Sequence, residues 1–148
     1  MGQVLYEPMA GVAHVIQLSI APVFLLSGIG ALLGVMTGRL SRIIDRARRL
    51  EALPRGTDRA GDERVAYELG VLARRAKLVN RGIALCTVSA LLVATVIIAL
   101  FLAAFFRRDF SAVIGWTFIA AVVALCFGLI SFLQEISHAT RHLRIGTH

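Results

Sequence analysis

The sequence predicts an all-α membrane protein with three transmembrane helices, the first two extended into an antiparallel helical hairpin on the cytoplasmic side. Three observations predict it. Hydrophobic residues fill 57% of the 148 positions and charged residues only 17%, against about 45–50% and about 25% in soluble domains. Mean hydropathy is +0.77, and the apolar residues are gathered into three uncharged runs, each long enough to cross a bilayer. Fourteen of the sixteen basic residues fall outside those runs on the same side of the membrane.

The first run extends from Val12 to Gly38 and holds no charged residue when His14 is neutral. At about 1.5 Å per residue it crosses a hydrocarbon core of about 30 Å with some tilt. Pro22 lacks an amide donor and is expected to kink the helix or loosen one turn. Nothing basic precedes the run, Glu7 does, and the run exceeds the apolar core of a signal sequence, so it reads as a retained span.

The second run, residues 82–106, reads GIALCTVSALLVATVIIALFLAAFF, and the third, residues 110–133, reads FSAVIGWTFIAAVVALCFGLISFL. Only Arg107, Arg108 and Asp109 separate them, which predicts a tight antiparallel pair. Phe110 and Trp116 lie near that end, where aromatic rings favour the membrane interface. The segment between the first two runs carries twelve basic residues and the C-terminal tail adds Arg141 and Arg144, while Arg107 and Arg108 stand alone on the other side. The positive-inside rule then predicts that the large loop and the C-terminus are cytoplasmic and the N-terminus is outside.

The cytoplasmic segment, residues 39–81, has helical periodicity. Leu40, Ile43, Ile44, Ala47 and Leu50 continue the first span as a helix. Pro54, Gly56 and Gly61 are expected to break the chain, with Thr57 or Asp58 capping the next helix. Val65, Leu69, Leu72, Ala76, Val79 and Ile83 then resume a stripe that runs into the second span. The tail, residues 134–148, is expected to form a short polar helix over Gln134–Arg144 that Gly146 ends. The whole chain, 1–148, reads as a single membrane domain.

Four patterns are candidates for function. Gly30, Gly34 and Gly38 form a smooth strip along one face, with Ser27 and Ala31 nearby, and let another backbone approach closely, within one subunit or between subunits. His14 and Gln17 share a face near the outer end of the first span; with Ser27 and Thr37 they are polar positions that a pore could use, or groups satisfied by interfacial water. A histidine there could also respond to pH. Arg39, Arg42, Arg46 and Arg49 line one helical face, as do Arg74, Lys77 and Arg81 on the returning helix. Such a stripe binds lipid headgroups, or forms a basic vestibule that concentrates anions. Asp45 is placed to pair with Arg48 or Arg49. The fourth pattern, Glu135-x-x-His138-x-x-x-His142, puts carboxylate and imidazoles on one face, compatible either with a divalent metal or with a solvated interfacial surface. The pattern lacks the second copy and the additional carboxylates of di-iron bundles, and a metal site is not expected.

Other functions are not supported by the residues. The net charge of +7 could suggest nucleic acid, but the basic residues flank membrane runs and nucleic-acid binding is not expected. Cys86 and Cys126 lie inside apolar runs and read as reduced, packed residues. No nucleophile elbow, phosphate-binding loop or His-Glu-x-x-His occurs, and no acidic residue lies inside a span, so neither an enzyme nor a cofactor is expected.

The block AHVIQLSIAPVFLLSGIGALLGVMTGRLSRIIDRARRLE, the later NRGIALCTVSALLVATVIIALF and the ending HATRHLRIG together resemble a bacterial three-span membrane family catalogued as domain of unknown function 2721. The resemblance covers nearly the whole chain. It implies a small three-span bacterial protein, multi-pass in the cytoplasmic (inner) membrane, and supplies no activity and no catalytic residues.

Three spans cannot surround an aqueous path, so conduction requires a symmetric homo-oligomer. The functional expectation is therefore a homo-oligomeric membrane protein in contact with membrane lipids and forming an ion channel or pore for inorganic ions. The alternative is a non-conducting scaffold whose basic hairpin binds anionic lipids or a cytoplasmic partner.

Overall fold

A computed structural model describes residues 6–53, 59–106 and 110–141, with side chains over 11–53, 59–106 and 110–136. Those residues form three helices, α1 (Tyr6–Glu51), α2 (Arg59–Phe106) and α3 (Ser111–Arg141). The chain is thus all-α, with the three apolar runs on three helices. α1 and α2 are 46 and 48 residues long, roughly twice what a hydrocarbon core requires. Each apolar run therefore continues into a polar helical extension without a break.

The most apolar windows of the three helices have mean hydropathies of 2.1, 2.8 and 2.5, yet only 17%, 17% and 11% of those windows is buried. Phe24, Leu91, Ile98, Phe105, Val113, Trp116, Phe127 and Leu133 all point outward. A water-soluble protein would not present apolar surface on this scale, whereas lipid is its natural solvent. The protein is a multi-pass membrane protein.

The helices differ from the sequence expectation at Gly61. Gly61 does not break the chain: it lies in the first turn of α2, where a glycine costs a helix only about 1 kcal/mol relative to alanine. The tail emerges from the third span as helix, as expected, since α3 runs on through Gln134 to Arg141. Pro22 is buried inside α1, which is helical on both sides of it. Pro54, Gly56, Thr57, Asp58 and Gly146 lie outside the described residues.

Burial follows a seven-residue pattern. On α1, Val15, Pro22, Ile29, Met36 and Ile43 are buried at steps of seven. On α2, Leu72, Val79, Gly82, Cys86, Ser89, Val93 and Val96 are buried, at the alternating threes and fours of a heptad seam. On α3, Ala121, Gly128 and Glu135 are buried, again seven apart. A period near 3.5 keeps one narrow stripe facing its neighbours along a long helix.

The chain divides into two compact units. One comprises α1 through Leu32 with residues 86–126; its buried residues include Ile29, Cys86, Val93, Val96 and Ala121. There the Ser89 hydroxyl donates to the Ala121 carbonyl at 2.7 Å, and Ser19 donates back to the carbonyl of Val15 at 2.5 Å. The other unit comprises residues 33–85 with those from 127 onward, and buries Met36, Ile43, Leu72 and Val79. In it a Cβ placed on Gly82 would lie 3.2 Å from the Gly128 carbonyl oxygen and 3.8 Å from the Met36 sulfur. Two backbones approach this closely only because the residue between them has no side chain.

Candidate functional site

Glu135 is the one acidic side chain that α3 turns inward among its described residues, and it is 1% exposed. Arg75 of α2 donates to its Oε1 from Nη2 at 2.7 Å and from Nε at 3.3 Å. Arg39 of α1 donates from Nη1 to its Oε2 at 3.2 Å. The three helices are therefore clasped by one carboxylate between two guanidinium groups. Arg39 also lies 5.4 Å from the centroid of the Phe132 ring, a cation–π distance. A carboxylate this deeply buried is tolerable only when its lone pairs are taken up by charged donors. No buried side-chain nitrogen or oxygen among the described residues lacks a hydrogen-bond partner.

The clasp divides the arginine stripe. Arg39 turns to Glu135, and Arg46, one heptad on, reaches Glu68 of α2 at 3.5 Å. Arg42 and Arg49 are exposed and have no ion-pair partner among the described residues. They border an open groove of about 500 Å³ with Asp45, Arg46, Leu50 and Leu53. Asp45 forms no ion pair with Arg48 or Arg49, contrary to the sequence expectation. All three side chains are solvated, and such surface pairs are worth little. On α2, Arg74, Lys77 and Arg81 are exposed. The basic residue that packs inward there is Arg75, which the sequence reading did not single out. Its signal is present in the register: Arg75 is three residues after buried Leu72 and four before buried Val79.

Gly30, Gly34 and Gly38 lie on an exposed face of α1, and a Cβ on any of them would meet nothing within 4 Å. They do not pack against α2 or α3. The close glycine contact within the chain is made by Gly82 and Gly128 instead. Ser27 is exposed on the same side of α1. Thr37 is exposed too, but its hydroxyl points back to the Leu33 and Gly34 carbonyls at 2.8 and 3.1 Å, and Ser41 likewise donates to Gly38 at 3.0 Å. His14 and Gln17 are exposed near the start of α1. The face from Ser27 to Ser41 is thus built of small residues, with Val35 its one exposed large hydrophobic.

The Glu135-His138-His142 pattern does not stand as read, because both Glu135 oxygens are engaged by arginine donors. The His138 side chain and His142 lie outside the described residues. No group of three potential metal ligands occurs among the described residues.

A family model described as Protein of unknown function (DUF2721) matches residues 19–145, a span that contains Arg39, Arg75 and Glu135. No curated protein matches the chain, and no solved structure does.

Proposed function

The chain belongs to the family described as Protein of unknown function (DUF2721), and from that premise we propose that it is a homo-oligomer whose α1 helices meet along the Ser27–Ser41 face around an ion-conducting path. The observation that supports this is a contrast between surfaces. The outward faces of α2 and α3 carry bulky residues such as Leu91, Ile98, Phe101, Trp116, Ile119 and Phe127. The outward face of α1 over Ser27–Ser41 carries Ser27, Gly28, Gly30, Ala31, Gly34, Thr37, Gly38 and Ser41. In lipid, bulky apolar residues serve as well as any against acyl chains, whereas small residues favour another helix by letting backbones approach.

In this reading the N-terminus is outside, and His14 and Gln17 stand at the outer mouth of the path. Arg42, Arg46 and Arg49 then form a basic vestibule at the cytoplasmic mouth, which raises the local concentration of inorganic anions. The deciding measurement is native mass in lipid nanodiscs combined with ion flux from liposomes. An oligomer that passes ions and is reduced to monomer by Gly34→Leu supports the reading; a monomeric wild-type protein eliminates it.

A second reading rests on the groove beside Arg42 and Arg49. Two exposed guanidinium groups next to Leu50 and Leu53 suit a non-conducting scaffold that holds an anionic lipid or an acidic partner at the hairpin. An intact oligomer with electrically silent bilayers selects this reading over the first.

A further inference from the structure

The charges of the clasp do not balance. Two guanidinium groups meet one carboxylate, and no second carboxylate pairs with Arg39 or Arg75 among the described residues. The negative partner is turned inward, with its side chain 1% exposed, while the Arg39 and Arg75 side chains are 42% and 32% exposed. The cluster therefore shows its surroundings a positive charge and keeps its negative charge out of reach.

Donor accounting leads the same way. A guanidinium offers five N–H donors in a planar fork. Arg39 uses one on Glu135, and Arg75 uses its Nε and one Nη2 hydrogen. The remaining donors need acceptors, and those of Arg39 are held in a set orientation by the Phe132 ring beneath the guanidinium. The location limits what those acceptors are. Arg39 is the first charged residue after the apolar run 12–38, Glu135 comes two residues after the run ending at Leu133, and Arg75 is held at the same level by its bonds to Glu135. This is the edge of the hydrocarbon layer, where phosphate groups lie.

We infer that the Arg39–Glu135–Arg75 clasp is a binding site for a phosphate-bearing anion. The phosphate takes the free edge of Arg39 and the open donors of Arg75, a forked geometry that guanidinium groups match well. The ligand is either the headgroup of an anionic phospholipid or a soluble phosphate. The site does not depend on whether the protein conducts ions or forms an oligomer.

The test measures binding to the full-length protein in a neutral detergent by native mass spectrometry, with phosphatidylglycerol, phosphatidylcholine and inorganic phosphate as separate probes. Phosphatidylglycerol should be retained in preference to phosphatidylcholine. Arg39→Gln should weaken retention about fivefold or more, the order expected for one basic residue at an anionic surface. Glu135→Gln raises the net charge of the cluster from one to two and should strengthen retention by a similar factor. Arg64→Gln, which alters an exposed arginine far along α2 from the clasp, should change it less than about twofold, within the range of a single solvated charge. Displacement of the lipid by inorganic phosphate identifies a soluble ligand, and its failure to displace identifies the lipid headgroup. The inference is overturned if no phosphate probe binds, or if Arg39→Gln and Glu135→Gln weaken binding alike, as a purely structural clasp requires. Should Glu135→Gln not fold, equal binding by Arg39→Gln and Arg64→Gln overturns it on its own.

Discussion

The Ser89 hydroxyl donates a 2.7 Å hydrogen bond to the backbone carbonyl of Ala121 on the neighbouring helix. Ser89 is fully buried, and its contact is one of three between α2 and α3 that recur at steps of seven residues in sequence. The others are Gly82 against Gly128 and Arg75 against Glu135. Ser89→Ala should cost only about 0.5–1 kcal/mol, because interhelical hydrogen bonds in lipid are modest in net value. Ser89→Leu should cost more, by forcing the two backbones apart. Unfolding of the purified protein in mixed micelles of increasing denaturing-detergent fraction measures both.

Glycine positions should separate into two classes. Gly82→Ala puts a methyl group 3.2 Å from a backbone oxygen that has little freedom to yield, and about 1–3 kcal/mol of destabilisation is expected from such overpacking. Gly34→Ala meets open space and should leave the monomer unchanged, or stabilise it by up to about 1 kcal/mol through helix propensity. The same unfolding assay applied to both variants checks the contrast.

The clasp should be asymmetric to mutation. Glu135→Ala leaves two guanidinium groups facing each other without a counter-charge and is expected to be the most disruptive single change, at about 3–5 kcal/mol. Arg39→Ala should cost clearly less, since Arg39 is partly solvated and Arg75 still holds Glu135 by two bonds. A double-mutant cycle on Arg75 and Glu135 should return a large coupling energy, whereas a cycle on Arg46 and Glu68 should return less than about 1 kcal/mol and vanish at high salt. The Arg46–Glu68 contact is 3.5 Å long between two exposed side chains.

The topology has its own test. With Cys86 and Cys126 replaced, a cysteine at position 49 should react with a membrane-impermeant maleimide only after the membrane is opened, and one at position 17 should react in intact cells. The reverse pattern would invert the proposed orientation.

Much of the fold was legible along the chain because lipid imposes a one-dimensional rule. A span needs about twenty uncharged residues, so Val12–Gly38, residues 82–106 and residues 110–133 declare themselves, and each lies on one described helix. The helical extension of α1 was readable from Leu40, Ile43, Ala47 and Leu50. Gly61 misled, because a glycine tolerated inside a long helix looks the same in sequence as one that ends it.

The candidate sites were less legible, since they depend on rotation about a helix axis. One residue turns the helix by about 100°. That is the difference between Arg74, which is exposed, and Arg75, which is clasped to Glu135. Reading Arg39, Arg42, Arg46 and Arg49 as one stripe was correct in spacing, but two of them turn to acidic partners and two do not. Glu135 looked paired with His138 because they are three residues apart on one helix. Its partners are instead 60 and 96 residues away.

By itself, then, the sequence determined the three helices, their lengths and the segregation of charge, because burial in hydrocarbon and helical hydrogen bonding act through local composition. Only the tertiary structure decided that Gly82 and Gly128 touch while Gly30, Gly34 and Gly38 face outward. It also decided that one buried carboxylate gathers arginines from two other helices. Those outcomes depend on which side chains meet when three helices pack, and the free energy of a buried charge is set by those neighbours.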